Sequence, residues 1–439
     1  MPKVHFIGIG GIGMSALARY YLAEGYSVTG SDLVASDVMD ALKRSGVDIY
    51  IDSGDRQQVA EDLEAVIYSA AVPAEHSELE QARGMGIRTL SYAEAVGELT
   101  KKYFTLAVAG THGKSTTTSM LALMLIEAGL DPTVIVGARL AEFRGTNFRR
   151  GESKYLVIEA DEYDRSFMYY QPQITIINNV DNDHLDTYGD INGVAEGFNQ
   201  YLKNLSQDAV AVLNSQDVHT EKILTGVRCK IVFFNHKEAV YAWPLTLPGR
   251  YNQLNAEAAW QAAQLVGVER SVAEAALMKF TGIWRRLEPL EPIEPSFMRD
   301  TMFFSDYGHH PTEVSVTLEG LREKYPQKKI LIIFQPHQAK RLDSVFMEFV
   351  GAFKKADAVC LLPVYQVAGR EESAEHKTSQ DLSTAIMDNN RKLSINQQVS
   401  YKENFEDSLA LIEGGVVVFM GAGDIDTSVR EHFQSKLIK

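Results

Sequence analysis

Short apolar runs recur along the chain, separated by stretches in which apolar positions return every three or four residues. Runs at residues 3–7, 27–32, 65–69 and 88–90 predict strands. After the first, Met14, Leu17, Ala18, Tyr21 and Leu22 fall on one helical face, and Gly25 stops that helix. Further strand patterns stand at 104–109, 155–159, 174–178, 302–305, 329–334, 358–362 and 416–420. The helix predicted over 115–128 is apolar nearly all round, which marks it as buried, and Gly129 caps it. Strands alternating with helices imply βαβ units and mostly parallel sheets, an α/β fold. Polar breaks after Lys101-Lys102 and near Ile283 divide the chain into three expected domains, 1–102, 103–282 and 283–439.

Composition adds bounds. At 439 residues, with 45% hydrophobic and 23% charged positions, each domain can bury its own core. The formal charge of −15 argues against a nucleic-acid or anionic-membrane surface, because both want a basic face. Cys229 and Cys360 are distant and read as buried thiols of a reducing compartment. No stretch reaches membrane-spanning length and the N-terminus lacks a signal-peptide layout, so the expected location is the cytoplasm.

Chemistry concentrates where strands end. The run at 104–109 meets Gly110-Thr111-His112-Gly113-Lys114-Ser115-Thr116, a glycine turn, a lysine and hydroxyls opening a helix. Such a turn offers backbone N–H groups and a point charge to a triphosphate, and a hydroxyl to Mg²⁺. Its two glycines stand closer than in the common phosphate loop. Gly8-Ile9-Gly10-Gly11-Ile12-Gly13, with Asp32 ending the next strand, fits a diphosphate-binding turn. Beside a triphosphate loop, a nucleotide-sugar is its more economical occupant than a redox dinucleotide. Glu159 terminates an apolar run and is the favoured metal carboxylate, whereas Asp161, Glu162 and Asp164 suit a solvated loop. His184, amid Asp181, Asp183 and Asp186, reads equally as a second metal ligand or a structural histidine. His309-His310-Pro311 opens a helix, either to meet an anion or simply to cap it, and Arg285-Arg286 reads as an anion site or a charged hinge.

Taken together these motifs resemble the Mur ligase family of ATP-dependent amide-forming enzymes, in order and over essentially the whole chain. The later matches are Glu159-Ala160-Asp161-Glu162, Asp183-His184-Leu185-Asp186, Asp306-Tyr307-Gly308-His309-His310, Phe334-Gln335-Pro336-His337 and Gly421-Ala422-Gly423-Asp424. The resemblance implies a Rossmann-like UDP-binding domain, a P-loop ATPase-like central domain and a Rossmann-like C-terminal domain. It implies activation of the lactyl carboxylate of UDP-N-acetylmuramate by ATP with Mg²⁺ or Mn²⁺, then amide formation with L-alanine through an acyl phosphate, in a monomer or weak homodimer. By the same resemblance Gly110, Thr111, Gly113, Lys114, Ser115 and Thr116 hold the ATP phosphates, and Ser115, Glu159 and His184 hold metal. Asn252, Asn255, Arg286 and Asp306 face the nucleotide, and His310 and Arg341 complete the catalytic set. Gly10, Gly11, Ile12, Gly13, Ser31, Asp32 and Ser69 contact the UDP-sugar. Two departures stand out: Tyr251 replaces a histidine, and Gln338 replaces an arginine near the acceptor. Gln338 keeps a second acceptor in view, a preformed peptide joined to the same UDP-sugar. An inactive regulatory relative or a dehydrogenase fits the retained Lys114 less well.

Overall fold

The computed structural model describes residues 1–51, 59–235, 242–291, 300–366 and 376–435. Among them the strands form three sheets. The first joins β1 (Lys3–Ile7), β2 (Ser27–Asp32), β3 (Asp48–Ile51), β4 (Ala65–Tyr68) and β5 (Arg88–Ser91) in the order β3-β2-β1-β4-β5, all parallel. The second contains β6 (Phe104–Ala109), β7 (Thr133–Leu140), β8 (Thr146–Arg149), β9 (Tyr155–Glu159), β10 (Ile174–Ile177), β11 (Val210–Asn214) and β12 (Lys230–Phe234). Its order is β12-β11-β10-β6-β9-β7-β8, with only the β7–β8 hairpin antiparallel. The third contains β13 (Glu288–Leu290), β14 (Thr301–Asp306), β15 (Ile330–Phe334), β16 (Ala358–Leu361), β17 (Gln398–Tyr401) and β18 (Gly415–Met420). Here the order is β13-β14-β18-β15-β16-β17, and β13 runs antiparallel at the edge.

The expected α/β fold with parallel sheets is therefore present, and three of the strands the pattern missed share a cause. Asp48–Ile51, Lys230–Phe234 and Gln398–Tyr401 sit at sheet edges, with at most one buried position each, so they carry weaker patterns than central strands. Central β18 is buried over Val416–Met420.

The chain separates into two compact units, residues 1–244 with 253–280, and residues 245–252 with 281–439. The first two sheets share the first unit and one apolar core. Tyr20, on the helix Ile12–Ala23, is where they meet. Its ring lies 6.4 Å from both Tyr103 and Phe148, edge to face. Asn147 on β8 donates to the Ile12 carbonyl, so the hairpin of the second sheet is hydrogen-bonded to the helix of the first. The third sheet belongs to the second unit, with apolar layers on both faces.

Candidate active site

The loop after β6 is built by two glycines with positive φ, Gly110 at 122° and Gly113 at 80°. Gly113 is required twice over. Its φ is left-handed, and a Cβ there would lie 2.6 Å from the Asn255 Oδ1. Gly113 caps the helix Lys114–Glu127 without any side-chain cap, so the first amides of that helix keep their donors for an anion. The loop is braced from β10. Asn179 Oδ1 accepts from the His112 amide at 2.8 Å, and Asn178 Nδ2 donates to the His112 carbonyl at 3.2 Å. His112 itself pairs with Asp181 at 3.0 Å.

Lys114 folds across this loop. Its Nζ donates to the Gly110 carbonyl at 2.8 Å and to both oxygens of Glu162, at 2.8 and 3.0 Å, with Asp161 at 3.9 Å. Burial alone would lower its pKa, but Glu162 and Asp161 outweigh burial and hold the ammonium protonated. The Glu162 side chain is only 1% exposed, and burial pushes its carboxyl upward against the pull of Lys114. His184 approaches the same carboxylate at 3.7 Å. The ligand atoms of Asp161, Glu162 and His184 lie within 4.8 Å of one another, a set suited to a divalent cation. Glu159 ends β9 next to them. Its carboxylate accepts from the Gly137 amide and the Ser115 hydroxyl, and burial raises its pKa despite both bonds.

One expectation changes here. Glu162 is a buried partner of Lys114 and does not belong to a solvated loop. Its position is fixed by Tyr188, whose hydroxyl donates to the Glu162 carbonyl at 2.7 Å from the helix Leu185–Tyr188. His184 caps that helix with φ 54°, which turns its ring toward Glu162 and Tyr163. Asn255 joins the loop through Gly113, and Thr111 ties it to Asp181, whose amide donates to the Thr111 hydroxyl at 2.9 Å. Thr116 is 7% exposed on the buried helix.

The turn after β1 places Gly10, Gly11, Ile12 and Gly13 at the start of the helix Ile12–Ala23. Gly13 has to lack a Cβ, which would meet the Tyr92 ring at 2.8 Å. Asp32 accepts from the Gly10 amide at 2.7 Å, so it shapes the turn directly. Ser31 lies beneath. Its carbonyl accepts from the Gly8 and Ile9 amides, and its hydroxyl donates to Glu78. Ser31, His5 and Glu78 are all 0% exposed, and His5 Nε2 stands 3.2 Å from Glu78. Burial pushes the Glu78 carboxyl up, but His5 and Ser31 prevail and hold it below its ordinary value. Ser31 thus braces the turn from the core side, and Ser69 follows β4 with its amide on the Ile7 carbonyl.

In the second unit, Asp306 ends β14 and accepts from the Gly308 and Leu287 amides, at 2.7 and 2.9 Å. Burial raises its pKa to about 6, with Arg286 opposing. Arg286 pairs with Glu313 at 2.7 Å. Arg285 is buried between the Tyr307 and Trp284 rings and donates to the Gly421 carbonyl, so the two neighbours differ in role. His310 is 3% exposed, and its Nδ1 accepts from the Thr312 amide while Glu313 receives the His309 and His310 amides. The helix Pro311–Lys324 is therefore capped by its own sequence. Asn252 donates to the Pro248 carbonyl at 2.7 Å, and the neighbouring Tyr251 hydroxyl is raised by burial and bonded to Thr317. Arg341 stands in the helix Ala339–Ser344, which Gln338 opens with an unusual φ of 63°.

This arrangement has known counterparts. Residues 3–104 match the Mur ligase family catalytic domain, 108–244 the Mur ligase middle domain and 285–423 the Mur ligase glutamate ligase domain. The UDP-N-acetylmuramate–L-alanine ligase of Aquifex aeolicus is 36% identical, covering 97% of this chain and 96% of its own. That of Desulforapulum autotrophicum is 35% identical over 96% of each. Among solved structures, the UDP-N-acetylmuramate–alanine ligase of Thermotoga maritima superposes with a TM-score of 0.78 at 26% identity, over 99% of this chain and 100% of that one. A murein peptide ligase from Psychrobacter arcticus shares the fold at a TM-score of 0.69 and 24% identity, over 100% and 98%. A phosphate loop after β6, acidic strand ends beside it and three matching domains in sequence order lead to one conclusion: the chain belongs to the Mur ligase family.

Proposed function

We propose that this chain is the ATP-dependent ligase that joins L-alanine to the lactyl carboxylate of UDP-N-acetylmuramate, a step of peptidoglycan precursor synthesis in the cytoplasm. One observation carries the reading: 34–36% identity along 96–98% of the chain to relatives bearing that name. We assign residues 1–102 to the UDP-sugar, 103–282 to ATP and 283–439 to the amino acid. Gly10 to Gly13, with Asp32 and Ser69, would receive the UDP-sugar. The loop from Gly110 to Thr116, with Asn252, Asn255, Arg286 and Asp306, would receive ATP.

The chemistry follows from the groups present. A free carboxylate is a poor acyl donor because its leaving group would be oxide. Attack of the lactyl carboxylate on the γ-phosphate releases ADP and gives an acyl phosphate, whose leaving group is phosphate. The amine then attacks that carbonyl and phosphate departs. Lys114 is already protonated and spans the loop, so exchanging Glu162 for a γ-phosphate oxygen would neutralise charge on the transferring group. The buried Glu159 carboxylate with the Ser115 hydroxyl, and the Asp161–Glu162–His184 set, suit Mg²⁺ or Mn²⁺ by donor type. A bound divalent ion would supply charge neutralisation of the phosphates. His310 and Arg341 are assigned to the acceptor step.

The test is ADP release from ATP and UDP-N-acetylmuramate, with single amino acids and short peptides offered as acceptors. L-Alanine alone should suffice. Turnover confined to peptides would replace this acceptor, and no acceptor-dependent turnover would overturn the proposal.

A further inference from the structure

The helix Tyr92–Lys102 leads from the first sheet to the second, within one unit, and opens on a phenol that has no role so far. Its N-terminus is closed by its own sequence. The Ser91 hydroxyl accepts from the Glu94 amide at 3.2 Å, and the Glu94 carboxylate accepts from the Ser91 amide at 2.8 Å. Farther along, the helix packs on the segment that follows Asp161 and Glu162. A Cβ on Gly97 would lie 2.7 Å from the Tyr169 carbonyl, and the Thr100 hydroxyl accepts from the Gln171 amide at 3.0 Å. Tyr92 is thereby fixed between the two parts of the site. On one side, its Cζ and Oη both stand 2.8 Å from where a Gly13 Cβ would be. On the other, Glu159 and Asp161 are close enough to act on its titration. Together with burial they keep the phenol neutral, and so a hydrogen-bond donor. Its hydroxyl is half-buried, retains access to solvent and makes no hydrogen bond to a described residue.

A hydroxyl that loses hydration without gaining a partner is unfavourable, and a ligand oxygen would complete it. With a diphosphate at the Gly10–Gly13 turn and a γ-phosphate at Lys114, the sugar and its lactyl arm have to span the interval from Gly13 to Glu159. Tyr92 stands in that interval. Resting on the ligase reading above, we propose that Tyr92 is a specificity residue for the sugar–lactyl portion of the substrate. Its hydroxyl donates a hydrogen bond to an oxygen of that portion and contributes nothing to holding UDP itself. Tyr92 therefore discriminates what is attached to the diphosphate, which the glycine turn alone does not read.

The test compares the parent chain with Tyr92→Phe, which keeps the ring against Gly13 and removes the hydroxyl alone. Calorimetric titration with UDP should give the same affinity for both chains, and their thermal midpoints should coincide. UDP-N-acetylmuramate should bind Tyr92→Phe at least about fivefold more weakly, the effect of one hydrogen bond. Its KM should rise by a similar factor in steady-state assays while the KM for ATP stays unchanged. UDP-N-acetylglucosamine, which lacks the lactyl arm, locates the oxygen: equal weakening assigns it to the sugar, and unchanged affinity assigns it to the lactyl group. UDP binding that falls in parallel would mean that the phenol acts through the Gly13 turn. UDP-N-acetylmuramate binding that is indifferent to the change would mean that the hydroxyl meets no ligand. Either result overturns the proposal. A parent chain that binds UDP but not UDP-N-acetylmuramate would instead overturn the ligase reading, and the assignment of Tyr92 with it.

Discussion

Replacing Lys114 by Met should destabilise the first unit in a strongly pH-dependent way. The substitution keeps most of the side-chain volume but strips Glu162 of its ammonium partner, leaving a carboxylate that is 1% exposed. Breaking a buried pair by removing one member costs about 3–5 kcal/mol. The carboxylate has an escape, because it can take up a proton, and that sets a ceiling. One pKa unit is about 1.4 kcal/mol and an ordinary glutamate titrates near about 4.3, so protonation costs about 3.7 kcal/mol at pH 7 and about 1.6 at pH 5.5. The loss caused by Lys114→Met should therefore fall by about 2 kcal/mol between these pH values. Adding Glu162→Gln removes the stranded charge and should restore most of the stability at pH 7 without restoring ADP formation. Urea unfolding of the parent, Lys114→Met and the double variant at both pH values measures this. A loss that is the same at pH 5.5 and pH 7, or a double variant no more stable than Lys114→Met, would refute the reasoning.

Glu159→Gln should raise the Mg²⁺ concentration giving half-maximal ADP formation at least tenfold, read from a metal titration at saturating ATP. Asp306 has a folded pKa of about 6, above the ordinary aspartate value of about 3.9. Its stabilising contribution is thus full below that lower value and lost as pH rises through about 6, by up to about 3 kcal/mol. Asp306→Asn should flatten this decline in thermal unfolding curves from pH 4 to 8. Glu78→Gln weakens the brace from His5 through Ser31 to the Gly8 and Ile9 amides. It should raise KM for UDP-N-acetylmuramate several-fold while leaving kcat and the KM for ATP unchanged in steady-state assays.

How much of this was legible in the sequence depends on how local each cause is. Glu159 could be singled out because the apolar run of β9 ends on it, and strand ends of parallel sheets collect ligands. Glu162 could not. It sits among Asp161, Tyr163 and Asp164, a composition that reads as solvated, and its burial is created by Tyr188 and Lys114 from elsewhere in the chain. Ser31 shows a different limit. The residue belongs to the expected substrate turn by position, yet β2 points its hydroxyl into the core toward Glu78. The histidine pair at His309-His310 was open between anion binding and capping, and the reciprocal bonds with Glu313 and Thr312 supply a capping role. Most central strands announced themselves through their apolar runs, although Val210–Asn214 between β10 and β12 was missed. The hairpin β7–β8, which carries Arg139, Arg144 and Asn147 to the first sheet's helices, did not.

The charge around the loop would make metal and nucleotide binding inseparable. Lys114 is surrounded by Glu162, Asp161 and Glu159, three carboxylates against one ammonium. A triphosphate adds about four more negative charges, and like charges a few ångströms apart in a partly buried site repel by several kcal/mol. Helix N-terminal amides and Lys114 offset only part of that, since Lys114 has to give up Glu162 to reach a phosphate. Divalent ions held by these carboxylates would convert this repulsion into attraction. Linkage then requires that Mg²⁺ strengthen ATP binding by the same factor by which ATP strengthens Mg²⁺ binding. Calorimetric titrations of each ligand with and without the other should give equal factors well above ten. ATP binding that is indifferent to Mg²⁺ would mean that the loop neutralises the triphosphate by itself, and the carboxylates would then need a different purpose.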